Sequence, residues 1–147
     1  MVCSAVMPGR PVRAPPASCC TLVIRVSCVG GTTSRELARS GTDLAAVVSC
    51  HGRLQTPTAA KAGTIKAKVL VCHGADDPYI PKAEVDEFHA EMKKSGADWQ
   101  FVAYGGAVHS FTVAEAGNDP SGGAAYNEKA DQRSWELMVA FFRETLK

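Results

Sequence analysis

The sequence predicts an α/β protein built on a mostly parallel sheet of about four strands flanked by helices. Two observations predict it. The segments TLVIRVSC (21–28), LAAVVSC (44–50), KVLVCHG (68–74) and WQFVAY (99–104) have the length and β-branched or aromatic content of strands, and helical patterns lie among them. The second of these segments is a nearly unbroken apolar run, the signature of a strand covered on both faces, which an alternating one-sided strand would not show.

Taken in order, residues 1–20 stand apart. Pro8, Pro11, Pro15 and Pro16 prevent a helix or a central strand, and no acidic residue occurs before Glu36, so this stretch reads as a disordered or misannotated leader. The first strand follows at 21–28. Thr32 to Ser40 reads as a short helix closed by Gly41. Beyond the second and third strands, Pro81 opens a helix whose apolar positions Val85, Phe88, His89 and Met92 fall at helical spacing, with Gly96 ending it. The fourth strand is followed by a loop at 112–123. A last helix runs from about Asn127 to Leu146, with Trp135, Met138, Phe142 and Leu146 on one face.

Composition excludes several functions. A net charge of +1 gives no electrostatic reason to bind nucleic acid or a membrane surface. No apolar run approaches the roughly 20 residues that a membrane helix needs. The six cysteines, at 3, 19, 20, 28, 50 and 72, have the spacing of neither a zinc ribbon nor a disulfide scaffold, which points to reduced thiols and a cytoplasmic location. Cys50-His51 and Cys72-His73 do not argue for zinc, since neighbours on a strand point to opposite faces. No metal or cofactor is expected.

In open α/β sheets the functional groups gather where loops leave the carboxyl ends of the strands. Here those ends deliver Cys28, then Cys50 and His51 with Arg53 just beyond, then His73, Asp76 and Asp77, and finally YGGAVHSF with His109. A thiol, a carboxylate and an imidazole occur in the chain order nucleophile, acid, histidine, which is the α/β-hydrolase order. As a thiolate Cys28 would attack a carbonyl, and the Val29 backbone N–H would donate to the oxyanion. His109 would move the proton, with its imidazole held in one tautomer by a carboxylate.

From Ser27 onward the chain resembles the C-terminal half of a dienelactone hydrolase (carboxymethylenebutenolidase), an α/β-hydrolase with a cysteine nucleophile. The matching segments are CVGGTTSRELARSGTDLAAVVSCHGRLQTP, VLVCHGADDPYIP, YGGAVHSF and AYNEKADQRSWELMVAFF. The resemblance implies a partial α/β-hydrolase fold over 21–147. It also selects Asp77 over Asp76 as the acid, with Cys28 as nucleophile and His109 as base. The implied reaction is hydrolysis of a small ester or lactone through a thioacyl intermediate, without metal or cofactor. Arg53 is a candidate contact for a substrate carboxylate.

Two departures from the family pattern stand out. Val26 occupies the position two before the nucleophile where the family has glycine. The family's first four strands have no counterpart ahead of Thr21, so the strand at 21–28 is expected to present an open edge. The rival reading follows from that edge: a catalytically inactive, truncated fragment, or an interaction module that self-associates through it.

Overall fold

The computed structural model describes residues 23–27 and 29–146, so residues 1–20, Thr21, Leu22 and Cys28 lie outside the described residues. Four parallel strands form one sheet in the order β1 (Val23–Ser27), β2 (Ala46–Cys50), β3 (Lys68–Gly74), β4 (Trp99–Tyr104). Three helices accompany them: α1 (Val29–Arg39), α2 (Lys82–Ser95) and α3 (Glu128–Thr145).

Every residue of β2 is buried, and in β3 only Lys68 is not. The alternation expected of any strand is therefore expressed between two cores. Val47, Val69 and Val71 pack with Ala38 of α1 and Phe88 and Met92 of α2. Ala46, Val48, Cys50, Leu70 and Cys72 pack with Met138 and Phe141 of α3. This arrangement accounts for the unbroken apolar run in the sequence, because each face has its own helical cover.

Strands β3 and β4 occupy the expected residues, and α2 lies between Pro81, whose φ of −65° suits a helix entry, and Gly96, whose φ of 70° suits the left-handed exit. Asn127 caps α3 by accepting the Ala130 N–H.

Three expectations need correction. The first helix begins at Val29 rather than Thr32. Gly30 and Gly31 belong to its first turn, against which the end of β2 packs closely. A Cβ on Gly52 would lie 3.1 Å from the Gly31 backbone and 2.9 Å from Ser49 Oγ. The buried stripe of α2 includes Glu84 and Glu91 beside Phe88 and Met92, while Val85 and His89 are half-buried. On α3 the buried stripe runs through Ala130, Asp131, Ser134, Met138 and Phe141, with Trp135 and Phe142 packed along its margin.

The crossover from β2 to β3 contains no helix. Its irregular chain is held instead by the two buried glutamates. Glu84 accepts the N–H groups of Leu54 (2.5 Å) and Gln55 (2.8 Å), and Glu91 accepts that of Ala60 (2.8 Å). A buried loop must find partners for its backbone polar groups, and α2 supplies them.

Candidate active site

The carboxyl ends of the strands converge on one rim. Strand β1 ends at Ser27 and α1 begins at Val29, so the strand-to-helix junction falls at position 28; Cys28 itself lies outside the described residues, as does the Val29 side chain. Ser27 pairs with Cys50, and β2 runs out immediately beyond into His51.

Asp77 and His109 are brought together by a close approach of two loops. Gly74 ends β3, and a Cβ there would lie 2.6 Å from the Val108 carbonyl oxygen and 2.7 Å from that of Ala107. Only glycine lets the loop after β4 settle onto the end of β3. The loop is then tied down: the Asp76 N–H donates to the Ala107 carbonyl at 3.0 Å, and the Ala75 N–H to that of Tyr104 at 3.0 Å.

The result is a hydrogen bond of 2.8 Å between His109 Nδ1 and Asp77 Oδ2. The Asp77 side chain is 0% exposed and that of His109 is 19% exposed. Asp77 Oδ1 accepts the Tyr79 N–H at 2.9 Å, so the carboxylate is held at both oxygens. An ionised carboxylate only accepts, so Nδ1 of the neutral imidazole carries the proton and Nε2 keeps the lone pair. That is the tautomer a general base needs.

Rings enclose this imidazole. Tyr79 meets it edge-on at 5.5 Å between centroids, and His51 does so at 5.4 Å. In the sequence His51 is weighed only as a metal ligand, and this contact is not foreseen. The signal was its place at the end of a buried strand, next to a glycine.

Arg53 lies on the exposed rim, where Nη2 donates to the Tyr79 carbonyl at 3.4 Å. Cys50 and Cys72 sit in the α3-side core outside any disulfide, the latter accepting from the Tyr104 hydroxyl at 3.9 Å. His73 packs against Phe101, and burial lowers its pKa from 6.5 against the opposing pull of Asp77. Among the described residues, no helix is long and apolar enough to cross a membrane.

A parallel sheet with a strand-to-helix junction, an aspartate after one strand and a histidine after the next is an α/β-hydrolase fold, present here in part. The model of the dienelactone hydrolase family matches residues 19–146, and the chain belongs to that family.

Among solved structures, it superposes on the dienelactone hydrolase-like promiscuous phosphotriesterase P91 from metagenomic libraries with a TM-score of 0.78 and 42% identity, over 84% of this chain and 52% of that one. MGS-M1, an α/β hydrolase from a Medee basin deep-sea metagenome library, shares the fold at a TM-score of 0.64 and 20% identity, over 84% of this chain and 54% of that one. The uncharacterized protein K02A2.1 of Caenorhabditis elegans is 37% identical over 68 residues, which cover 46% of this chain and 43% of that protein. The chain thus spans about half the length of these relatives.

Proposed function

We propose that the chain hydrolyses a small ester or lactone through Cys28, His109 and Asp77. The observation that carries this reading is the part-buried Asp77–His109 hydrogen bond at 2.8 Å, which leaves the His109 Nε2 lone pair free to accept a proton.

In the proposed reaction His109 Nε2 removes the Cys28 thiol proton and the thiolate attacks the carbonyl carbon. The carbonyl electron pair moves to oxygen, where the Val29 N–H at the start of α1 donates to it. Collapse of the tetrahedral intermediate breaks the carbon–oxygen bond, and the imidazolium returns its proton to the leaving alkoxide. The thioester that remains is attacked by water, which His109 deprotonates. The carbon–sulfur bond then breaks and the thiolate recovers the proton. Asp77 stabilises the imidazolium in both halves. Arg53 on the rim would meet an acidic group on the substrate.

The test is hydrolysis of 4-nitrophenyl acetate and of an unsaturated five-membered lactone by the full chain. A phosphotriester is added because that activity is named for the relative P91. Activity lost in both Cys28→Ala and His109→Ala supports the reading. Undiminished activity in Cys28→Ala overturns it.

A second reading rests on the sheet edge. Among the described residues no strand pairs with the outer side of β1, and the relatives are about twice as long. Under this reading the chain is an inactive fragment or interaction module that associates through β1, and backbone groups on that edge pair with another chain. Concentration-dependent dimerisation together with inert Cys28 would favour it.

A further inference from the structure

His51 is tied by its backbone to the sheet just past β2 and by its side chain to the loop of the general base. Its N–H donates to the Cys72 carbonyl at 2.9 Å, extending the β2–β3 ladder one residue past the end of β2. Its φ is then 40°, a region that residues with a side chain rarely adopt. In that conformation the residue is 1% exposed and Nε2 lies 2.9 Å from Thr112 Oγ1, 61 residues further along the chain. The same ring meets His109 edge-on at 5.4 Å and Phe111 edge-on at 5.3 Å.

A second non-glycine residue with positive φ occurs among the described residues, Ser110 at 60°, immediately after His109. Unusual backbone conformations thus occur on both sides of one contact, the β2 end against the 109–112 loop. Strain of this kind persists only where the surroundings determine it, and it gathers at functional sites.

We propose that His51 is a positioning residue for His109. Together with the Thr112 hydroxyl it fixes segment 109–112, and its ring blocks rotation of the imidazole away from Asp77. The proposal rests on the reading of His109 as the general base. A histidine that only filled core volume would need neither a bond into the loop nor a left-handed backbone. A leucine in ordinary strand geometry would fill the same space.

The experiment records long-range imidazole nitrogen–proton spectra of the full chain, labelled with ¹⁵N-histidine. It compares the native protein with Thr112→Val, His51→Leu, the double variant and His51→Gln, and follows ester hydrolysis in parallel. Native His109 is expected to show one tautomer, protonated at Nδ1. In Thr112→Val and His51→Leu that signature should average between tautomers, while kcat falls about tenfold and KM stays unchanged. The double variant should be no worse than His51→Leu, because both changes break one bond. In His51→Gln, whose amide reaches the hydroxyl, much of the signature should return.

An unaltered His109 signature in Thr112→Val overturns the proposal. The Thr112 site is half-buried and the replacement nearly isosteric, so this variant decides even if His51→Leu fails to fold. If the native chain hydrolyses no ester, the proposed function fails, but the tautomer spectra still decide what His51 does.

Discussion

Arg39 of α1 and Glu91 of α2 form a two-pronged ion pair, with Nε–Oε1 at 2.8 Å and Nη2–Oε2 at 2.6 Å, across 52 residues of sequence. Their side chains are 4% and 6% exposed. Arg39 also reaches Glu36 at 2.7 Å and the Leu54 carbonyl at 3.2 Å, so one guanidinium joins two helices and the β2–β3 crossover. Burial alone would raise the Glu91 pKa, but the hydrogen bonds from Arg39 and Ala60 hold it below the ordinary carboxylate value.

Removing one partner therefore costs more than the pair itself contributes. Glu91→Ala would leave Arg39 buried and unpaired beside Arg35, whose own pKa is lowered to about 10, chiefly by burial. The expected loss of stability is about 3–5 kcal/mol, with a smaller loss when Arg39→Met is combined with Glu91→Met. Urea unfolding of the full chain measures both. A cost below about 1 kcal/mol for Glu91→Ala would show that the crossover does not depend on this pair.

Gly74→Ala tests how the acid and base are brought together. The new methyl would lie 2.6 Å from one carbonyl oxygen and 2.7 Å from the next, both belonging to the loop that carries His109. The loop must move, and overpacking of this kind costs about 1–3 kcal/mol. The expected outcome is a lower melting midpoint and loss of the Nδ1-protonated signature of His109. Native values of both would contradict the loop-approach account.

The pH dependence of stability follows from two lowered pKa values. His73 titrates at 6.5 when unfolded and lower when folded, so stability is retained above 6.5 and falls as pH drops below it. Glu91 starts from 4.5 unfolded, and its contribution is present above 4.5 and lost as pH falls through its lower folded value. Thermal melts should thus fall in two steps. His73→Phe should flatten the step just below 6.5 and spare the more acidic one. A melting profile in His73→Phe that keeps the first step unchanged would assign that step to another group.

Much of this architecture is legible in the chain because it is written in local patterns. The strand β3 reads as KVLVCHG and β4 as WQFVAY, and Pro81, Gly96 and Asn127 mark helix ends by their own backbone preferences. His109 and the Asp76–Asp77 pair are legible through their place at strand ends, and the choice of Asp77 between the two rests on the family resemblance. What is hidden depends on partners distant in sequence. The buried roles of Glu84 and Glu91 depend on the crossover and Arg39, which reach that side of α2 from elsewhere in the chain. The approach of Gly52 to Gly31 is likewise hidden, since the two meet only where α1 packs against the end of β2. The role of His51 is hidden for the same reason, since Thr112 and His109 reach it only through the stacking of β2, β3 and the loop after β4.

The most direct test of the account is the pH dependence of alkylation at each cysteine of the full chain, read by peptide mass spectrometry. An unperturbed thiol titrates near about 8.5. The account predicts that Cys28 alone reacts readily at pH 6, and that His109→Ala abolishes this reactivity. If Cys28 reacts no faster than Cys3 or Cys19, the cysteine–histidine pair is not assembled and the proposed hydrolase mechanism is contradicted.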